Sequence, residues 1–125
     1  MTWSLWCILI AGLLPYVATG IAKSGFHAYD NHNPRAWLAK QTGFRARANA
    51  AQSNCFESFP FFAAAVLVAT MQNASPLYMT IFSSLYILAR VAYIVAYAAD
   101  WPNLRSLCWL LGIISIVALF TIAAH

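Results

Sequence analysis

Arg47, Asn54 and Glu57, with Pro60 just beyond them, stand in the stretch FRARANAAQSNCFESFPFFAAAVLVATM, where a polar segment runs into an apolar one. Positions 47, 50, 54 and 57 recur at helical spacing, so on an α-helix they share one stripe. Hydropathy places the Glu57 carboxylate inside a membrane, where a charge is costly and normally faces a protein interior or a water-filled cavity. A second set lies further along the chain. Arg90, Tyr93 and Tyr97 stand at i, i+3 and i+7, again one helical face. Arg105 and Ser106 follow shortly after. If these groups converge, they line a cation-rich, hydroxyl-bearing pocket suited to an anionic, amphipathic ligand.

The elements that must position them are membrane spans. The chain has 125 residues, 62% of them hydrophobic and 8% charged. A soluble domain of this size carries about a quarter charged residues, so this chain has too little polar surface to coat itself. Four apolar runs, Trp3–Ile21, Ala50–Met71, Leu77–Tyr97 and Leu107–Ala124, each approach the ~20 residues a span needs. The fold class expected is therefore all-α: an integral membrane four-helix bundle in a single domain over residues 1–125. No Lys or Arg precedes the first run, so it is expected as a retained helix, kinked at Pro15, rather than a cleaved signal.

The net charge of +4 does not indicate nucleic acid, because of where the charges lie. Lys23, Arg35, Lys40, Arg45 and Arg47 fall between the first two spans, opposed only by Asp30, while Gln72–Pro76 between spans two and three is uncharged. The positive-inside bias puts the loop at about residues 24–44 in the cytoplasm and both termini outside. Within that loop, Pro34–Lys40 carries Trp37 and Leu38 and is a candidate interfacial segment.

Antiparallel pairing of spans two and three sets Glu57 and Arg90 at similar depth, each about 10 Å from the cytoplasmic end at 1.5 Å per residue. Paired charges make one another tolerable, within one chain or between subunits. The same pair reads equally as a structural bolt fixing helix register. Asn54 reads equally as helix–helix glue, and the tyrosines as interface aromatics.

Other groups carry less. Cys7, Cys55 and Cys108 are scattered at lipid depth and are expected as small packing residues, not a disulfide framework. His27, Asp30 and His32 have no recognised metal-ligand spacing, so no metal site is expected. Phosphate-cradling glycine loops and Ser/His/Asp sets are absent from the sequence.

The segment RANAAQSNCFESFP from Arg47 to Pro60, the segment LYILARVAYIVAY from Leu85 to Tyr97, and Leu104-Arg105-Ser106 together resemble the MAPEG superfamily, the membrane-associated proteins in eicosanoid and glutathione metabolism. The resemblance extends over essentially the whole chain. It implies a homotrimer of four-helix subunits with glutathione as cosubstrate, held between adjacent subunits near the cytoplasmic side. Carried over by motif, it nominates Asn54, Glu57, Arg90, Tyr93 and Tyr97 as binding residues, with Arg47 beside them. Arg105 and Ser106 match the pair implicated in activating the thiol, since a nearby cation favours thiolate over thiol. The implied activity is transfer of glutathione to, or peroxide reduction of, a hydrophobic small molecule taken from the bilayer. One position departs from the pattern. Members of the family carry an Arg four residues before the motif Asn, and this chain has Ala50. Arg47, one turn earlier, replaces it only in part. The alternative is a non-catalytic membrane protein that binds a lipid or another anionic amphiphile on the same scaffold.

Overall fold

Three of the helices start where a proline can only start one. Pro34, Pro76 and Pro102 occupy first helical positions, where the missing N–H would have no partner in any case. The structure, a computed structural model, describes residues 1–24 and 29–125. Gly25 and His27 of the expected loop lie outside the described residues. The elements are α1 (Trp3–Lys23), α2 (Pro34–Ala39), α3 (Phe44–Met71), α4 (Pro76–Ala98) and α5 (Pro102–Ala123). Four of them, α1, α3, α4 and α5, are long and apolar enough to cross a membrane. Helix α2 is short and falls on the segment expected at the interface.

Both tight turns between spans are built alike. Helix α3 runs out at Asn73, φ 54°, and α4 at Asp100, φ 62°. Asn and Asp are the non-glycine residues that tolerate this left-handed conformation best. Each is followed by a residue whose N–H reaches back to close the helix: Ala74 to the Ala69 carbonyl at 3.0 Å, and Trp101 to the Ala96 carbonyl at 2.8 Å. A proline then begins the next span. Gly43 precedes α3 at φ 63°, a conformation side chains resist, and its carbonyl accepts from the Arg47 N–H. Helix α3 therefore begins well before the apolar window that opens at Ala50. Its polar first turns extend the span rather than belonging to a loop. Pro15 and Pro60 are accommodated inside continuous helices.

Helix α1 packs chiefly on α3, and α4 on α5, while α3 and α4 also meet each other and bridge the outer two. The α1–α3 contact is made by small residues. Ala11, Ala18 and Ala22 of α1 and Ala48, Ala51, Ala65 and Ala69 of α3 are all buried, which lets the backbones approach closely. Gly112 of α5 faces the same interior: a Cβ there would make ordinary contact with Arg90 Cδ at 3.6 Å and the Tyr86 ring at 3.9 Å.

Two main interior clusters divide the bundle along its length. The terminal half, which holds both chain ends and the α3–α4 turn, is filled by Phe62, Val66, Ile116, Leu119 and their neighbours. The connection half, at the α1–α3 connection and the α4–α5 turn, is filled by Leu14, Cys55, Tyr93, Ile94 and Cys108. Large apolar side chains such as Leu13, Val17, Leu88, Val95, Leu110 and Val117 are exposed on the outside, as expected where hydrocarbon or a neighbouring subunit is the surroundings.

Candidate functional site

The helical spacing on α4 brings Arg90, Tyr93 and Tyr97 onto the inner face of the connection half. The Asp100–Pro102 turn then folds Arg105, in the first turns of α5, back over them. The result is a column of alternating cations and rings. The Arg90 guanidinium carbon lies 4.2 Å from the Tyr93 ring centre. Tyr93 meets Tyr97 edge-to-face at 5.6 Å, and the Arg105 guanidinium carbon stands 4.6 Å above Tyr97. Each contact is favourable in itself, and together they fix two positive charges at the two ends of a tyrosine pair.

Arg90 is the unusual member. It is only 2% exposed. One guanidinium nitrogen, Nη2, donates to the Cys55 sulfur at 3.1 Å. Its Nε is buried with no partner. Among the described residues no carboxylate comes within ion-pair reach of it. A buried guanidinium without a counter-charge is costly, so the arrangement has spare capacity for an anion.

Glu57 does not fill that need within the subunit. It is exposed, whereas Cys55, two residues earlier, faces Arg90. The depth argument sets the right level but says nothing of direction around the helix, and two residues turn about 200° at ~100° per residue. Any Glu57–Arg90 pairing therefore has to run between subunits. Asn54 is half-buried, and its Oδ1 is buried without a partner. Arg47 is engaged inside the chain: Nε and Nη2 donate to the Ala98 carbonyl at 3.3 and 3.1 Å. It thus ties the start of α3 to the last turn of α4, where a cation also complements the helix dipole. Ser106 is exposed, and its hydroxyl makes no hydrogen bond among the described residues.

Three side chains that sequence reasoning passed over belong to this region. Tyr86 lies one turn before Arg90 on the same face, stacked on Phe62 at 3.9 Å and 5°, with its hydroxyl bonded to that of Ser58. The α4 spacing could have found Tyr86, since it continues the 90, 93, 97 series backwards. Cys55 was read as packing, and nothing in its position signalled that it would be the neighbour of Arg90. Gln52 lies off the stripe, and its Oε1 is buried and unpartnered.

Residues 3–125, essentially the whole chain, match the MAPEG family. The chain belongs to the MAPEG family. No individual curated protein matches it. With four membrane-crossing helices, this MAPEG protein is a multi-pass integral membrane protein. The residues that carried the resemblance do not act as one group within a single subunit. Arg90, Tyr93, Tyr97 and Arg105 are gathered into the column, while Glu57 on α3 and Ser106 on α5 are exposed.

Proposed function

We propose that this MAPEG protein binds glutathione in the connection half and uses its thiol on a hydrophobic electrophile or peroxide drawn from the bilayer. The observation that carries the reading is Arg90, buried without a counter-anion beside two tyrosines and within a column that ends at Arg105. Glutathione is an anionic tripeptide and the family is associated with it. The residues present suit it: two guanidinium groups for carboxylate or thiolate, tyrosine hydroxyls, and the unpaired Asn54 Oδ1 as acceptor for an N–H or ammonium. Bound glutathione would supply the nucleophilic sulfur. Arg105 would hold the thiolate form by its charge, with Ser106 adding a hydrogen bond.

In this reading the working unit is a homotrimer. An exposed carboxylate at the level of Glu57 would be expensive against lipid, and a neighbouring copy covers it. That contact would also complete the site, setting the Glu57 and Asn54 side of one subunit against a partner. The connection end faces the cytoplasm, on the strength of Lys23, Arg35, Lys40, Arg45 and Arg47 from the end of α1 to the first turn of α3, against no basic residue between α3 and α4.

The second reading is the non-catalytic scaffold, holding a lipid or another anionic amphiphile in the same column. Ala50 in place of the family arginine favours it, as does the exposure of Ser106. Thiolate absorbance near neutral pH, titrated with glutathione, separates the two. Thiolate signal in the unmodified protein that is lost in Arg105→Leu, with affinity little changed, supports the enzyme. Absence of binding at millimolar glutathione leaves the scaffold. In the enzyme reading Ala50→Arg also tightens binding by restoring a carboxylate contact.

A further inference from the structure

Cys7, Cys55 and Cys108 are free thiols buried to nearly the same degree, at 0, 3 and 3% exposure. Their surroundings differ. Cys7 belongs to the apolar cluster of the terminal half, with Phe62 and Val66. Cys108 belongs to the cluster of the connection half, with Leu14 and Ile94. Cys55 shares that second cluster, but its sulfur also accepts a hydrogen bond from Arg90 Nη2 at 3.1 Å. Among the described residues it is the cysteine that touches a cation. The glutathione reading makes no use of its thiol.

Arg90 adds an independent observation at the same place. Its guanidinium is directed at the sulfur, it is itself 2% exposed, and its Nε is buried without a partner. A thiol is a weak acceptor and brings no charge, so it leaves the guanidinium uncompensated. Oxidation of the sulfur changes that. When the Cys55 sulfur attacks a hydroperoxide, an S–O bond forms and the O–O bond breaks. The thiol proton ends on the leaving alkoxide, giving a sulfenic acid and an alcohol. A second hydroperoxide transfers a second oxygen in the same way, giving a sulfinic acid and a second alcohol. Arg90 meets the negative charge that the sulfur carries during attack. The sulfinic acid then releases its proton to water and becomes an anion with two acceptor oxygens, the kind of partner that a guanidinium fork fits.

We propose that Cys55 is a modification site for hydroperoxides, and that its sulfinate supplies the anion Arg90 lacks and so shuts the column to an anionic ligand. The modification rests on the Cys55–Arg90 contact alone; its effect on glutathione rests on the reading given under Proposed function. The test treats the purified protein in detergent with cumene hydroperoxide and follows each cysteine by peptide mass spectrometry, with thermal unfolding alongside. Cys55 should gain two oxygens ahead of Cys7 and Cys108, and should lose that lead in Arg90→Met. The oxidised protein should melt no lower than the untreated one. Calorimetric titration should then show glutathione affinity reduced about tenfold or more by the treatment, the worth of one charge-assisted hydrogen bond. In Cys55→Ser the same treatment should leave affinity where it was. Oxidation of the three cysteines at one rate, or a lead of Cys55 that survives in Arg90→Met, overturns the site. Oxidised Cys55 with unchanged glutathione affinity overturns the closure of the column. Absence of glutathione binding before treatment overturns the glutathione reading and with it the effect on glutathione, while the order of oxidation, read without any ligand, still decides the modification.

Discussion

In the terminal half, Thr70, Ser115 and Thr121 return their hydroxyls to carbonyls one turn earlier on their own helices, at 2.8, 2.7 and 2.8 Å. Ser83 is buried there with a free hydroxyl, Trp3 Nε1 donates to Ser84 Oγ across helices at 2.7 Å, and Ser58 pairs with Tyr86. In the connection half Thr19 and Ser53 also close on their own helices, at 3.0 and 3.4 Å, but the larger polar groups reach across helices or keep atoms unpaired. Arg47 crosses to α4, Arg90 crosses to Cys55 with Nε to spare, and Asn54 and Gln52 keep unpaired carbonyl oxygens. A polar group closed on its own helix costs little in a membrane and offers little to a ligand. One left open costs more. The concentration of open groups at one end is what separates a site from a core, and it gives the two halves different responses to substitution.

Truncation in the terminal half should cost the most stability. Leu119 is fully buried, and Leu119→Ala should lower stability by about 2–5 kcal/mol, toward the lower figure because hydrocarbon rather than water surrounds the separated helices. Thermal unfolding in detergent measures this, and ligand affinity of the folded protein should not move. Removing the charge in the connection half should do the opposite. Arg90→Met replaces an uncompensated buried charge by an apolar side chain of similar length, and should leave the melting temperature unchanged or raise stability by about 1–4 kcal/mol. A large loss of stability would mean that Arg90 is a structural bolt, and the contrast between the halves would collapse.

Smaller effects sharpen the boundary of the connection half. Gly43→Ala puts a side chain at φ 63°, and should cost about 1–3 kcal/mol of strain. Hydrogen exchange should show that loss as faster opening of the first turns of α3, with the terminal half unaffected. Orientation is checked by single-cysteine labelling, which changes no energy. Reagent added outside should reach a Cys at Asn73 and miss one at Asn33. The reverse pattern would place the connection end, and the site, on the other side of the membrane.

Much of this was legible in the sequence because membrane chains are written in long runs. Four apolar windows gave the spans, and helical spacing alone aligned Arg90, Tyr93 and Tyr97 on the face that turns out to be buried. What failed to show was anything requiring the rotation of one helix against another. The pairing expected from matched depth put Glu57 opposite Arg90, and the structure puts Cys55 there. Arg47 looked like a free cation for a ligand because no sequence pattern reveals that the Ala98 carbonyl ends beside it. Side chains that break no pattern, such as Gln52 and Cys55 on α3, become visible only when two elements are set side by side.

The claim that the connection half holds an anion through its buried cations is tested most directly by calorimetric titration of glutathione into the purified protein and its Arg90→Met variant. The account predicts binding at millimolar concentration or below. It predicts a loss of about ten- to hundredfold in the variant, the worth of one charge-assisted hydrogen bond of ~1.5–3 kcal/mol, with no fall in melting temperature. No heat of binding in the unmodified protein, or equal affinity in the variant, would contradict it.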